Sequence, residues 1–226
     1  MDSVTGRIDV ISDAICPWCY IGKRQLELAL PMLAEQGLNF EVHWHPYQLN
    51  PEMPAEGVER AAYRLAKFGS EEKMRQIDAR VAEAGAAVGI EMRSGLMRRT
   101  PNTIAAHRLI WLAGEEGVQD AVVDGLFRGY FSEGKDIGDA AVLGEIGAAA
   151  GLAAERVAAM LASDEGLEIV TARDAMARSA GINGVPSFVM MNHVLFSGAV
   201  PAEQMAEAFE RAWTVLSDRA QQPASK

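Results

Sequence analysis

Both cysteines of the chain lie within one hexapeptide, Ile15-Cys16-Pro17-Trp18-Cys19-Tyr20, where the apolar run Ile8 to Ile11 gives way to helical spacing. A Cys-x-x-Cys at a strand-to-helix junction suits thiol–disulfide exchange. The first sulfur then stands at a helix start, where unpaired backbone N–H groups and the helix dipole favour thiolate over thiol. Pro17 fits the first helical position, because the N–H it lacks would have no partner there. Cys19, nearly one turn on, is close enough to attack a mixed disulfide formed at Cys16. Two other readings of the pair are open at this level. It can be two buried structural thiols, or half of a zinc site completed by His43, His45, His107 or His193. The zinc reading lacks a second Cys-x-x-Cys and any His pair at i, i+4, so no metal is expected. A c-type haem needs His after the second cysteine, and residue 20 is Tyr.

The 226 residues are 49% hydrophobic and 23% charged, enough to bury a full core. A net charge of −10 disfavours nucleic acid and anionic membranes as partners. Met1 to Arg7 has neither a basic nor an apolar signal region. No apolar run nears the roughly 18 residues that cross a bilayer. The expected location is therefore the cytoplasm. In that reducing compartment two cysteines point to redox or metal chemistry rather than a staple.

Arg7–Ser12 reads as a first strand. The helix after the Cys motif carries a wide apolar stripe through Tyr20, Leu26 and Leu33, and Pro31 should kink or break it near Leu30. Leu38–His45 alternates with a period of two, which puts His43 and His45 on the solvent side, and Pro46 ends it. From about 58 to 180 the pattern is helical, and no strand is predicted there. Helices are expected over 58–68, from a Ser70 N-cap to about Val88, from Thr100-Pro101, then over 118–131, 139–150, 153–162 and 164–180. Ser187–Met191 and Val194–Ser197 read as a hairpin, and Pro201 opens a last helix. The order predicts an α/β fold: a mixed four-stranded sheet flanked by helices, interrupted by a large all-helical insertion. Residues 1–50 and 165–220 form the sheet domain, 58–164 the insertion, and 221–226 a frayed tail.

The chain resembles the DsbA-like branch of the thioredoxin superfamily, most closely the FrnE-like proteins grouped with 2-hydroxychromene-2-carboxylate isomerases and kappa-class glutathione transferases. The matching residues are Ser12-Asp13-Ala14-Ile15-Cys16-Pro17-Trp18-Cys19-Tyr20-Ile21-Gly22, then Pro101-Asn102-Thr103 with Ala106-His107-Arg108-Leu109. Tyr130-Phe131, Gly181 to Val189 through Val185-Pro186, and Gly198-Ala199 complete the set. The resemblance implies a thioredoxin fold carrying a helical domain. It implies a cis peptide at Pro186 beside the Cys motif, with the Val185 backbone free to pair with an extended substrate strand. It also brings Asn102 and His107 toward the cleft; alone, Asn102 reads as a first-turn polar group and His107 as a packed histidine. Trp18 is expected to contact substrate through its apolar ring.

Two departures sharpen the expectation. The periplasmic oxidase DsbA has His before its second cysteine, whereas Trp18 cannot supply a positive charge. A milder couple is expected, with the helix terminus as the main stabiliser of the Cys16 thiolate. The isomerase and transferase branch commonly carries Ser at the first-cysteine position, and this chain keeps both sulfurs. The reading is a thiol–disulfide oxidoreductase acting on protein or peptide disulfides, with Cys16 as nucleophile and Cys19 as resolving thiol. Pro17, Trp18, Val185, Pro186, Asn102 and His107 would contact substrate. No cofactor is required, glutathione can serve as co-substrate, and the protein is a monomer or homodimer. The alternative is a glutathione-dependent isomerase or transferase for a small aromatic compound.

Overall fold

β1 (Gly6–Ser12) holds the centre of the sheet in the computed structural model, which describes residues 6–221. Its β-branched Ile8, Val10 and Ile11 are buried, as a strand covered on both faces requires. On one side it pairs in parallel with β2 (Phe40–Pro46), Ile8 opposite Val42 and Val10 opposite Trp44. On the other it pairs antiparallel with β5 (Ser187–Met190), Ile11 opposite Ser187. β6 (His193–Ser197) closes the order β2-β1-β5-β6. The β5–β6 turn uses Met191 and Asn192 with φ of 48° and 64°, the positive pair that a tight primed hairpin turn needs. The parallel β1–β2 link needs a crossover, and α1 (Pro17–Ala34) supplies it.

Two helices lie against the sheet where the cysteines emerge. α1 buries Leu26, Ala29 and Leu33, and α9 (Ala202–Gln221) buries Met205, Ala206 and Phe209. Phe209 meets the buried Phe188 and the half-buried Phe196, and burial of Phe188 and of Phe209 contributes about 2 kcal/mol each. The Gln25 side chain accepts the Ala202 N–H at 2.9 Å, which caps α9 from α1.

Between β2 and β5 run α2 (Arg60–Phe68), α3 (Glu71–Ala86), α4 (Ile104–Glu115), α5 (Gln119–Phe131), α6 (Ala140–Ala149), α7 (Ala154–Leu161) and α8 (Leu167–Ser179). Ser70 caps α3 through the Lys73 N–H. Glu59 caps α2 by accepting the N–H groups of Ala61 and Ala62. An ionic latch ties α5 to α1. Lys23, only 1% exposed, reaches Glu27 and Asp120, while Arg24 bridges Glu27 and Asp124 at 2.6 Å each. The aromatic stack of Tyr20, Phe127 and Phe131 lies beside it.

Three expectations are corrected. α1 runs through Pro31 without a break; Pro31 is exposed, so the missing hydrogen bond falls on the solvent side while Ala29 and Leu33 hold the buried face. The helical stretch does contain strands, β3 (Val58–Glu59) and β4 (Arg99–Thr100), two residues each and too short to show a period. His43 is solvent-facing, but His45 is half-buried and bonded to Asp9 on β1 at 2.6 Å, because a parallel neighbour carries a carboxylate there. Of the expected tail 221–226, Gln221 is the last residue of α9, and the rest lies outside the described residues.

The free edge of β2 is closed by one side chain. Gln119 accepts the Trp44 N–H at 2.8 Å and donates to the Trp44 carbonyl at 3.1 Å, imitating a neighbouring strand. Gln119→Ala would leave both groups of a buried residue unpaired. It should lower stability by about 1–3 kcal/mol in urea unfolding; an unchanged midpoint would show that the plug is dispensable.

Candidate functional site

The antiparallel pairing of β1 with β5 brings the end of one strand and the start of the other to the same edge of the sheet. The segment Ser12–Cys16 leaves there, and the Val185–Pro186 turn arrives there. Cys16 is the N-cap of α1, in extended conformation, and Pro17 follows at the first helical position. The Cys16 carbonyl accepts the N–H groups of Cys19 and Tyr20, and its own N–H bonds to the Asp13 carbonyl at 3.0 Å. The Cys16 sulfur points at the Val185 carbonyl, 3.5 Å away and 169 residues distant in sequence. The Val185–Pro186 peptide bond is cis.

The two sulfurs occupy different surroundings. Cys16 is 4% exposed and Cys19 is fully enclosed; both are free thiols. Burial pushes the Cys19 thiol well above its ordinary value. Its hydrogen bond to Cys16, and the negative charge there, push the same way. The Ser12 hydroxyl and the Asp13 backbone N–H oppose the shift without cancelling it. The buried Cys19 thiol is thus held in its protonated form beside Cys16.

The remaining predicted residues are distributed around this pair. Trp18 is 40% exposed on the outer face of the motif. Pro17 and Ile15 form one wall of a pocket of about 150 Å³, whose other walls come from the loop after β2 and from α2 and α3. Asn102 donates to the Met53 carbonyl at 2.7 Å and accepts the Ile104 N–H at 2.9 Å, joining the loop after β2 to the start of α4. His107 is buried on α4, 3.4 Å from the Asp13 carboxylate, and is not part of the pocket wall. Among the described residues, no cluster of three or more His, Cys, Asp or Glu side chains is placed to hold a metal ion.

Several residues at the site carried no assigned role in the sequence. Arg60, Tyr63, Arg64 and Lys67 project from one side of α2 into the pocket, a face legible as i, i+3, i+4, i+7 spacing. Arg64 is held by two bonds to Asp78, at 2.7 and 2.8 Å, and Lys67 bonds the Tyr63 hydroxyl at 2.7 Å. Arg60 donates to the Tyr130 hydroxyl at 2.8 Å, and that hydroxyl donates to the Arg99 carbonyl. Gly22 lets α1 lie flush on the Val185–Pro186 turn: a Cβ there would stand 2.9 Å from the Pro186 ring.

This arrangement places the cysteine pair on a fold of thioredoxin type, and the comparisons agree on the fold. Residues 7–210 match the model of the DSBA-like thioredoxin domain, so the chain belongs to the DSBA-like thioredoxin domain family. A probable DsbA oxidoreductase from Streptomyces coelicolor is 31% identical, with a TM-score of 0.84 over 98% of this chain and 93% of that one. A 2-hydroxychromene-2-carboxylate isomerase shares the fold at 15% identity and a TM-score of 0.70, over 94% and 98% of the two chains. The cytosolic disulfide reductase DsbM from Pseudomonas aeruginosa, solved with glutathione, shares it at 16% identity and a TM-score of 0.56, over 96% and 100%. No helix among the described residues is long and apolar enough to cross a membrane.

Gly22→Ala tests the contact between α1 and the turn. The added methyl meets a ring that cannot rotate away, so α1 or residues 185–188 must shift. The expected cost is about 1–3 kcal/mol in chemical denaturation, and a variant as stable as the parent would contradict the close approach.

Proposed function

We propose that the protein is a thiol–disulfide oxidoreductase that uses Cys16 and Cys19 on protein or peptide disulfides. The observation that carries this reading is the asymmetry of the pair: one sulfur at the helix N-cap facing Val185, the other buried and held protonated beneath it. The Cys16 thiolate attacks one sulfur of a substrate disulfide, whose other sulfur leaves as a thiolate. Cys19 then gives up its proton and attacks the Cys16 sulfur. The second substrate sulfur departs and takes up a proton, and a Cys16–Cys19 disulfide remains. Substrate is reduced by two electrons and the pair is oxidised; the reverse sequence donates a disulfide.

An extended substrate strand lies along Val185, in the edge-strand manner of peptide capture. Trp18 offers it an exposed apolar face, and the pocket beside Pro17 receives a neighbouring group. About 150 Å³ matches the cavity size that encloses a benzene-sized group. It falls below the roughly 300–1,000 Å³ of sites that enclose a whole drug-sized ligand. That favours an anchor for one side chain of a larger substrate. Glutathione is the proposed recycling thiol, in a reducing cytoplasm, supported by the shared fold of a cytosolic reductase solved with it.

The second reading, a glutathione-dependent isomerase or transferase, draws on the pocket and on the fold shared with the isomerase. The two separate at Cys16. Cys16→Ser abolishes disulfide exchange in the first reading and spares activity in the second, in which a hydroxyl suffices.

Incubating the Cys19→Ser protein in cell extract should trap proteins joined to Cys16 through bonds that dithiothreitol releases. Recovery of glutathione adducts alone would favour the second reading. Equal protein capture by Cys16→Ser would contradict both.

A further inference from the structure

Asp13 stands between β1 and the Cys motif, and its side chain is fully buried. Its backbone carbonyl accepts the Cys16 N–H at 3.0 Å, and the Cys16 carbonyl in turn accepts the Cys19 N–H at 3.0 Å, while the Asp13 N–H favours the charged form of Cys19. Its carboxylate reaches away from the motif in two directions. Oδ2 accepts the Leu49 N–H at 2.8 Å, and Leu49 is a wall of the pocket beside Pro17. Oδ1 lies 3.4 Å from His107 Nε2 on α4. Neither of those two atoms has a closed hydrogen bond to any other described group, and both are sealed from solvent.

A buried carboxylate oxygen with no donor is costly, as is a buried ring nitrogen with no partner. The facing pair resolves both costs when His107 carries its proton on Nε2 and donates it to Asp13. The residue before Leu49 is fixed in the same manner, since the Gln48 N–H is accepted by Asp174 at 2.8 Å. Two consecutive backbone donors of the loop after β2 are thus held by two buried carboxylates, and only Asp13 of the two also bonds the Cys16 backbone.

We propose that Asp13 and His107 are positioning residues for the resolving step, an inference that rests on the thiol–disulfide reading. Neither touches substrate. His107 fixes the Asp13 carboxylate, the carboxylate fixes the Asp13 backbone, and that backbone holds the turn that carries Cys16 and, through the Cys16 carbonyl, Cys19. In the mixed disulfide, Cys19 gives up its proton, attacks the Cys16 sulfur and expels the substrate sulfur, which takes up a proton. The N–H of Asp13 supports the negative charge on Cys19 at that moment. When the anchor is removed, Cys16 still attacks, but the second step slows and the mixed disulfide persists.

The experiment follows the lifetime of the mixed disulfide between the protein and a peptide disulfide, by acid quenching and mass spectrometry. The variants are Asp13→Asn, His107→Leu and His107→Gln, with Cys16→Ser as the control for the underlying reading. In Asp13→Asn, an NH₂ group must face either the Leu49 N–H or the His107 N–H, so one contact breaks. We expect Asp13→Asn and His107→Leu to prolong the intermediate at least tenfold, with the first attack slowed less than threefold. His107→Gln, which keeps a donor where Nε2 stood, should restore most of the parent lifetime even if His107→Leu is too unstable to assay. Parent lifetimes in Asp13→Asn and His107→Leu, or a His107→Gln as slow as His107→Leu, overturn the proposal. Cys16→Ser separates the two levels: if it still exchanges disulfides, the oxidoreductase reading falls; if it is inert and the other variants behave as parent, only the positioning role falls.

Discussion

The contact between the first turn of α1 and the Val185–Pro186 turn is the constraint on which the site depends. The two segments are far apart in sequence, and the pairing of Ile11 with Ser187 delivers them to one edge of the sheet. Gly22 then removes the side chain that would hold them apart, and the Cys16 sulfur arrives 3.5 Å from the Val185 carbonyl. Sheet register, a missing Cβ and a helix N-cap together place one thiol, 4% exposed, beside the Val185 carbonyl at the sheet edge. Since the core is close-packed, a shift of either segment is transmitted to the other rather than absorbed.

The helical stretch between β2 and β5 is fastened to that frame by polar contacts as well as by apolar packing. Lys23 and Arg24 of α1 engage Asp120 and Asp124 of α5, and Gln119 seals the β2 edge at Trp44. On the other side, the loop after β2 is fixed by Asp13 and Asp174 through consecutive N–H groups, with Arg178 stacked on Tyr47. These clamps hold one wall of the pocket, while α2 and α3 supply the opposite wall. α2 has no buried residue, which is the mark of a helix that covers a site rather than builds a core.

Much of this was legible in the residues. β1 and β2 show β-branched and alternating patterns, and the Cys-x-x-Cys marks the start of α1. The Ser70 cap follows a local rule that the structure obeys, and the hairpin read around Asn192-His193 forms one residue earlier, at Met191-Asn192. The failures share a cause. Pro31, the β3–β4 ribbon and the environment of His45 are decided by which face meets solvent or by what lies on a neighbouring strand, and neither is encoded locally. The partners of Asp13 are of the same kind: Leu49 is 36 residues away and His107 is on α4, so a carboxylate three residues before the first cysteine gave no sign of its contacts. The pocket was readable only in part, through the Arg60-Tyr63-Arg64-Lys67 face of α2.

The proposed chemistry stands on a division of labour between two sulfurs that differ in burial and in hydrogen bonding. Competitive alkylation of the reduced protein with a small haloacetamide, with each cysteine quantified by peptide mass spectrometry from about pH 6 to 9, addresses that division directly. The account predicts that Cys16 is modified while Cys19 stays a free thiol across the range, and that unfolding in urea removes the difference. Modification of Cys19 at a rate equal to or above that of Cys16 in the folded protein would contradict it.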